Sequence, residues 1–197
     1  MPRPKIYDDA LRQRLLDRAA LAIAQVGPGG LALRPVAHAE GTSTTAIYSI
    51  FGGRTELIAA VGKAARDGFV AAQRAVPVTD DPYGDLLNLG RAYRQWALAN
   101  PVLYQVLMSP TDPTLSQEGP MPQSEAARPL RSAVIRLIES GVYPPIVPEA
   151  IIGPIWASAH GFVSLELAGL LAPATDEQRA GIYEGHLQAL GRGWRIA

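Results

Sequence analysis

Residues 33–51 read LRPVAHAEGTSTTAIYSIF, a stretch in which two short helical patterns follow each other. The apolar residues of its first third are spaced like one face of a helix. Gly41 then interrupts the pattern, because glycine suits the left-handed backbone conformation that ends a helix. Thr42 or Ser43 can cap a second helix with a side-chain oxygen, and that helix ends near Phe51. The stretch therefore predicts two short helices joined by a three-residue turn.

The second of these helices has two different faces. Its apolar residues are expected to pack inward, namely Ala46, Ile47 and Ile50. Its other residues are short or amphipathic hydrogen-bond donors that can contact phosphates and base edges, namely Ser43, Thr44, Thr45, Tyr48 and Ser49. Arg34 and Arg54 stand at the starts of the first helix and of the next helix, where a cation can meet a phosphate. This is the pattern of a helix-turn-helix, whose second helix enters the major groove of DNA.

The run RPVAHAEGTSTTAIYSIFGGRTELI, residues 34–58, resembles the DNA-binding domain of TetR-family transcriptional regulators. The matching positions are Ala37, Gly41, Ser43, Tyr48, Phe51 and Leu57. Pro35 replaces a residue that is often acidic in the family, and Thr42 replaces a frequent valine. With a preceding helix over residues 11–26, the resemblance covers about the first third of the chain. It implies a DNA-binding domain over residues 1–57, with the motif at about 33–52, and DNA contacts from Arg34, Thr42, Ser43, Thr44, Thr45, Tyr48 and Arg54.

Roles within this set differ. The phosphate contacts are expected from Arg34, Ser43, Tyr48 and Arg54, and the base-edge contacts from Thr44 and Thr45. The net charge of the chain is zero, but residues 1–57 hold seven basic and five acidic residues, a small basic excess. Arg3 and Lys5 precede the first helix, where they form either a basic segment that reaches a minor groove or a solvated terminus.

The rest of the chain, residues 58–197, has helical spacing throughout and no strand-like alternation. An all-α fold of about nine helices is predicted, with a three-helix DNA-binding domain followed by a helical bundle. A long apolar helix is expected over residues 149–171. Four prolines interrupt residues 110–122, which are expected to form either a passive loop or a lid over a pocket. The family resemblance implies that this second domain binds a ligand and forms a dimer.

Within the long helix, Trp156, His160 and Gly161 resemble the Trp-x-x-x-His-Gly signature of one C-terminal subclass of the family, named WHG. Aromatic and soft side chains here could line an apolar small-molecule pocket, with Tyr93, Trp96, Tyr104, Met108, Trp156 and His160 as the ligand-binding candidates. For the individual aromatic residues, an ordinary helical core is the favoured interpretation. For His160, the alternative is a buried imidazole bonded to a backbone carbonyl or a tyrosine hydroxyl.

The motifs of enzymes are not found in the sequence. It contains no cysteine, and its three histidines do not have metal-ligand spacing, so neither a metal site nor a cofactor is expected. The chain has no run of eighteen apolar residues and no signal-peptide core at its N-terminus, so a cytoplasmic protein that does not bind membranes is expected.

The sequence predicts a ligand-responsive DNA-binding regulator that is not an enzyme. We expect a repressor that leaves a palindromic double-stranded DNA operator when a small, largely apolar effector binds. It would act as a homodimer formed through the last two long helices, whose small residues allow close packing. An activator is a further possibility. The alternative function is a helical small-molecule-binding protein without a role in DNA regulation.

Overall fold

The computed structural model describes residues 8–108, 124–171 and 175–196. Over these ranges the chain forms nine α-helices and no strand, which confirms the predicted all-α class and helix count. The helices are α1 (Asp9–Gly30), α2 (Leu33–Ala39), α3 (Thr44–Phe51), α4 (Arg54–Arg74), α5 (Pro82–Ala99), α6 (Pro101–Leu107), α7 (Arg128–Glu139), α8 (Glu149–Leu167) and α9 (Asp176–Gly193). A 3₁₀ turn, Glu125–Ala127, precedes α7. The predicted N-terminal segment with Arg3 and Lys5 and the predicted loop or lid at 110–122 lie outside the described residues.

Side-chain caps fix the starts of three helices. Asp8 accepts a hydrogen bond from the Leu11 N–H at 2.7 Å at the start of α1. Asp81 accepts from two N–H groups of the first turn of α5. Thr175 and Gln178 form a reciprocal capping box at the start of α9, so the first N–H groups of this helix have partners.

The described residues form two compact units. One consists of residues 8–67 and 102–108, and the other of residues 68–101, 124–171 and 175–196. Helix α4 runs without interruption from Arg54 to Arg74, so it begins in the first unit and continues into the second, which starts at residue 68. The domain boundary that the sequence suggested, after residue 57, falls inside this helix.

In the first unit, α2 packs against both α1 and α3. Helix α1 supplies the largest share of the buried apolar side chains, with Leu15, Leu16, Ala19, Ala20 and Ile23. Its regular part ends at Gly27, where the backbone has a φ of 73°. The buried side chains of α2 and α3 are Val36, Ala37, Ala46 and Ile47. A small three-helix core thus holds α3 with one face inward and the other exposed.

In the second unit, α5 is the central helix, and α7, α8 and α9 all pack against it. The core between them is built from large aliphatic side chains and one fully buried tyrosine, namely Leu86, Leu89, Val134, Leu137, Tyr143, Ile151, Ile152 and Ile155. The Tyr143 hydroxyl donates to the Gly191 carbonyl oxygen at 2.9 Å, so the only polar atom of this side chain has a partner inside the core.

Helix α8 ends at Leu167, four residues before the predicted Leu171. Gly169 adopts a φ of 69°, and the N–H groups of Gly169 and Leu170 bond back to carbonyls of the last turn. This left-handed termination stops the helix before Pro173 is reached, because glycine takes it up without a steric penalty. By length and composition alone, α8 is also apolar enough to cross a membrane, and only 28% of it is buried. Its buried residues belong to the core of the second unit.

Candidate functional site

The turn between α2 and α3 has the geometry of a helix-turn-helix. Gly41 has a φ of 64°, a backbone conformation that glycine adopts readily, and the Thr42 N–H bonds to the Ala37 carbonyl at 2.9 Å. Ser43 takes the position before the first residue of α3 in an extended conformation, but its hydroxyl makes no capping hydrogen bond. The side-chain cap expected from Thr42 or Ser43 is therefore not formed, and the exposed Ser43 hydroxyl faces solvent.

Helix α3 has one buried and one exposed face, as its sequence pattern predicts. Ala46 and Ile47 have no exposed surface, whereas Tyr48 is 57% exposed. Ser43, Thr45 and Ser49 are also exposed, and Thr42 and Thr44 are half-buried. An exposed tyrosine among small hydroxyl side chains is a surface that can contact both phosphates and base edges.

The ring of Tyr48 lies against the turn between α3 and α4. A Cβ atom built on Gly53 would lie 3.5 Å from the tyrosine ring and 2.8 Å from a carboxylate oxygen of Glu56. The second glycine of the Gly52-Gly53 pair therefore leaves room for the side chains beside it. The ring is supported on one side and exposed on the other, which restricts where its hydroxyl can be.

The two arginines expected at phosphates have different surroundings. Arg34 is exposed at the start of α2. Arg54 donates from Nε to the Leu31 carbonyl at 2.8 Å, and from Nη2 to the carbonyls of Pro28 and Gly29 at 2.6 and 2.7 Å. This guanidinium thus binds the backbone that follows the interruption of α1, where the Pro28 carbonyl also accepts from the Leu31 N–H. The geometry favours a role for Arg54 in positioning the motif, which the sequence alone did not suggest.

A pair of ion contacts between α1 and the end of α2 was also missed by sequence reasoning. Glu40, with a side chain only 12% exposed, contacts Arg14 Nε at 3.3 Å and Arg18 Nε at 3.2 Å. The two arginines are one helical turn apart, which is a recognisable spacing, but nothing in the sequence indicates that Glu40 lies opposite them. These contacts fix α2 against α1 and use two of the basic residues counted toward a DNA-binding surface.

The second unit contains a cleft between α5, α7, α8 and α9. It encloses about 490 Å³ of empty space, a volume that includes open solvent at its mouth. Aliphatic side chains form most of its wall, including Leu86, Leu89, Leu130, Ile155, Leu187 and Leu190. Of the predicted ligand-binding residues, Tyr93 and Trp156 line this cleft.

His160 lies beside the cleft rather than in its wall. Its ring stacks on that of Trp156, with the centroids 5.5 Å apart and the planes inclined by 16°. The Tyr93 hydroxyl is 3.3 Å from His160 Nδ1. Burial lowers the pKa of His160, which favours the neutral imidazole, and a neutral imidazole has one ring nitrogen that can accept a hydrogen bond from the tyrosine hydroxyl. This arrangement matches the alternative of an imidazole bonded to a tyrosine hydroxyl.

The other three ligand-binding candidates lie elsewhere. Trp96 is buried, and its ring packs edge-on against Phe69 at 5.3 Å. Tyr104 and Met108 belong to the first unit. Among the described residues, none of these three lines the cleft. Helical spacing predicts which face of its helix each aromatic residue occupies. Which of these residues come together at the cleft is decided by the packing of α5 against α8.

No group of three histidine, cysteine, aspartate or glutamate side chains in the described part of the chain is placed to hold a metal ion. His160, which lies beside the cleft, contacts the hydroxyl groups of Tyr93 and Ser164 and the ring of Trp156.

Both the sequence of the second unit and the fold of the chain resemble those of known proteins. Residues 86–190 match the model of the tetracyclin repressor-like C-terminal domain. The fold resembles that of SCO4313, a protein named as regulatory, with a TM-score of 0.67, 27% identity, and coverage of 96% of this chain and 98% of that one. No curated protein matches the chain.

Two more solved structures share the fold at lower identity. A protein of Shewanella sp. PV-4 that is classed as a TetR-family transcription regulator has a TM-score of 0.76 and 17% identity, over 95% of this chain and 99% of that one. The ketosteroid transcriptional regulator KstR2 of Mycobacterium tuberculosis has a TM-score of 0.73 and 17% identity, over 97% and 98%. Since the family model covers more than half of the sequence and the fold is shared over nearly its whole length, the chain belongs to the TetR family of transcriptional regulators.

Proposed function

We propose that the protein is a ligand-responsive repressor that binds a palindromic DNA operator as a homodimer. The observation that carries the proposal is the exposed face of α3, where Tyr48 and small hydroxyl side chains surround a helix that is firmly packed on its other face. Such a helix can enter a major groove without unfolding its own core.

Within this interface, the base edges are contacted by Thr44 and Thr45. The phosphate backbone of the DNA is contacted by Arg34, Thr42, Ser43 and Tyr48. Threonine supplies both a hydroxyl and a methyl group, and both are useful at a base edge. Arg54 supports the site indirectly, by holding the segment before α2 through three carbonyl contacts.

The dimer forms through α8 and α9. Small residues recur at four-residue spacing on α9, at Gly181, Gly185, Ala189 and Gly193, and these are exposed. A Cβ atom built on any of the three glycines would meet nothing within 4 Å. Two exposed aliphatic side chains, Leu165 and Ile182, lie on the same pair of helices. A second copy of the chain would cover these apolar positions, and a two-fold dimer would present two copies of α3 one turn of DNA apart.

The effector binds in the cleft of the second unit, and α4 transmits the response. Tyr93 lines the cleft and packs edge-on against Phe69 of α4, with ring centroids 5.4 Å apart. A ligand that moves Tyr93 thus displaces the end of a helix whose first residues belong to the DNA-binding unit. To release the operator, the effector must bind the non-binding conformation more tightly than the binding one.

Fluorescence anisotropy of labelled DNA from beside the gene tests the proposal. The protein is titrated at two salt concentrations against the native and a scrambled duplex. Preferential binding to one duplex that weakens with salt is expected of a sequence-specific regulator. Equal, weak binding to both, followed by failure to enrich any sequence from random duplexes, would instead favour the small-molecule-binding protein without a DNA role.

Tyr48→Ala is expected to lower operator affinity by about tenfold or more, because the supported ring and its hydroxyl both leave the interface. Circular dichroism should show an unchanged fold, since Tyr48 is exposed. Val26→Ala is the matched control, because Val26 is 60% exposed on the same unit but lies outside α3. Operator affinity of the Tyr48 variant equal to that of the control would remove Tyr48 from the interface.

A further inference from the structure

The wall of the cleft in the second unit is almost entirely hydrocarbon. The described residues that line it carry no charge, and only Gln73, Tyr93 and Trp156 contribute polar side-chain atoms. A charged ligand would have to lose its hydration here without gaining an opposite charge, which is strongly unfavourable. The cleft therefore selects against ions.

The arginines of α5 do not change this conclusion, because glutamates already hold them. Arg91 makes two hydrogen bonds to Glu184 of α9, with its Nε 2.8 Å from a carboxylate oxygen. Arg94 makes two to Glu166 of α8, at 2.7 and 2.6 Å, and both of these side chains are largely buried. An anionic ligand would have to displace a carboxylate to reach either guanidinium.

Two of the three polar groups of the wall have partners within the protein. The Tyr93 hydroxyl is engaged by His160. The Gln73 amide, which is 5% exposed, donates to the Leu89 carbonyl at 3.5 Å, a long hydrogen bond. Trp156 Nε1 is different, because this atom is buried and has no hydrogen-bond partner among the described residues. A buried indole N–H without an acceptor is rare in folded proteins and is unfavourable, since it has lost its water.

We propose that the effector is a neutral, largely apolar molecule whose single oxygen atom accepts a hydrogen bond from Trp156 Nε1. A carbonyl or ether oxygen would satisfy the indole N–H, and the hydrocarbon body would lie against the leucines of α5 and α9. This inference rests on the proposed function, in that it takes the cleft to be the effector site. The Trp156 ring is also stacked on His160, and His160 is hydrogen-bonded to the Tyr93 hydroxyl. A ligand bound to the indole is therefore connected to Tyr93 through His160.

Four ring compounds of similar size test this chemistry: cyclohexanone, methylcyclohexane, cyclohexanecarboxylate and cyclohexylammonium. Each is titrated into the ¹⁵N-labelled full chain, and the indole N–H signals are followed by NMR. The chain has three tryptophans, so Trp96→Phe and Trp194→Phe identify the Trp156 signal by elimination. Cyclohexanone is expected to move that signal downfield in a saturable way and to bind about tenfold more tightly than either ion.

Trp156→Phe separates hydrogen bonding from shape. It keeps an aromatic ring in the wall but removes the N–H, so the preference for cyclohexanone over methylcyclohexane should fall from several-fold to about one. Trp194→Phe is the matched control, because Trp194 does not line the cleft and should leave that preference unchanged. If Trp156→Phe does not fold, the response of the wild-type indole signal decides the question.

Three outcomes would overturn the proposal. These are tighter binding of the carboxylate or the ammonium ion, binding of cyclohexanone without any movement of the Trp156 signal, and no saturable response to any of the four compounds. The measurement contains no DNA. A negative result in this titration therefore does not contradict the proposed operator recognition. A negative result in the DNA-binding experiment likewise does not contradict the proposed ligand chemistry of the cleft.

Discussion

At the scale of the single residue, Arg34 and Arg54 show that two arginines at helix starts can have different roles. Both stand at a helix start, where a positive charge near phosphate is reasonable. Arg34 is exposed, whereas Arg54 is half-buried, and its Nε and Nη2 atoms donate to three backbone carbonyls. The first is available to DNA, and the second holds the chain that leads into the motif.

Arg54→Ala is expected to lower the free energy of unfolding by about 1–3 kcal/mol, because it removes three hydrogen bonds from the guanidinium to the backbone of residues 28–31. Arg34→Ala should leave stability within about 0.5 kcal/mol of wild type and reduce the salt dependence of operator binding by about one unit of slope. Urea unfolding and anisotropy at several salt concentrations measure the two effects. Wild-type stability of Arg54→Ala, combined with a reduced salt slope, would return Arg54 to the phosphate contacts.

At the scale of the element, charged side chains hold the helices of the second unit in register around α5. Arg94 pairs with Glu166 of α8, and Asp85 pairs with Arg136 of α7 at 2.7 Å. Asp85 is only 3% exposed and also accepts from the N–H and the hydroxyl of Thr79, at 2.9 and 2.8 Å. The segment between α4 and α5 is thereby fixed to α7.

The pKa of Asp85 makes this contact testable. Burial by itself would raise the pKa, but the hydrogen bonds from Thr79 and Arg136 outweigh it and hold the pKa below its ordinary value. A carboxyl with a lowered folded-state pKa contributes stability above the unfolded-state pKa of about 3.9 and loses it as the pH falls through the folded value. Asp85→Asn is therefore expected to cost about 1–3 kcal/mol at pH 7 and progressively less below about pH 4.

Urea unfolding between pH 7 and pH 3 checks this expectation, with Asp80→Asn as the control, because Asp80 is exposed in the same segment. The control should follow the wild type over the whole range. A deficit of Asp85→Asn that stays constant down to pH 3 would mean that the charge of Asp85 contributes nothing beyond its hydrogen bonds.

At the scale of the whole molecule, the proposed dimer connects the exposed surface of the second unit with DNA recognition. Helix α8 is apolar by composition, yet little of it is buried in the single chain. A second copy would cover it, and two recognition helices at fixed separation bind a palindrome far more tightly than one.

Gly185→Glu is expected to prevent dimer formation, because it places a charged side chain on the exposed stripe of small residues on α9. Light scattering should then report a monomer with unchanged helix content, and operator affinity should fall by more than about tenfold. Gln95→Glu is the control, since it adds the same charge at an exposed position of α5. A Gly185→Glu protein that remains dimeric would place the interface elsewhere.

The sequence by itself determined the features that depend on local spacing. Apolar periodicity predicted the helices, Gly41 predicted the turn, and the run around Tyr48 indicated the family. It also predicted the two faces of α3, since buried and exposed positions of a short helix follow directly from its 3.6-residue period.

Only the tertiary structure decided which distant groups meet. It placed Arg54 on the carbonyls of the segment before α2 and set Glu40 opposite two arginines of α1. It brought Tyr93 and Trp156 to one cleft while leaving Trp96 outside it. The physical reason is that helical period fixes which face of an element a residue occupies. Which helix packs against that face depends on how all the side chains of the core fit together, and no local pattern records this.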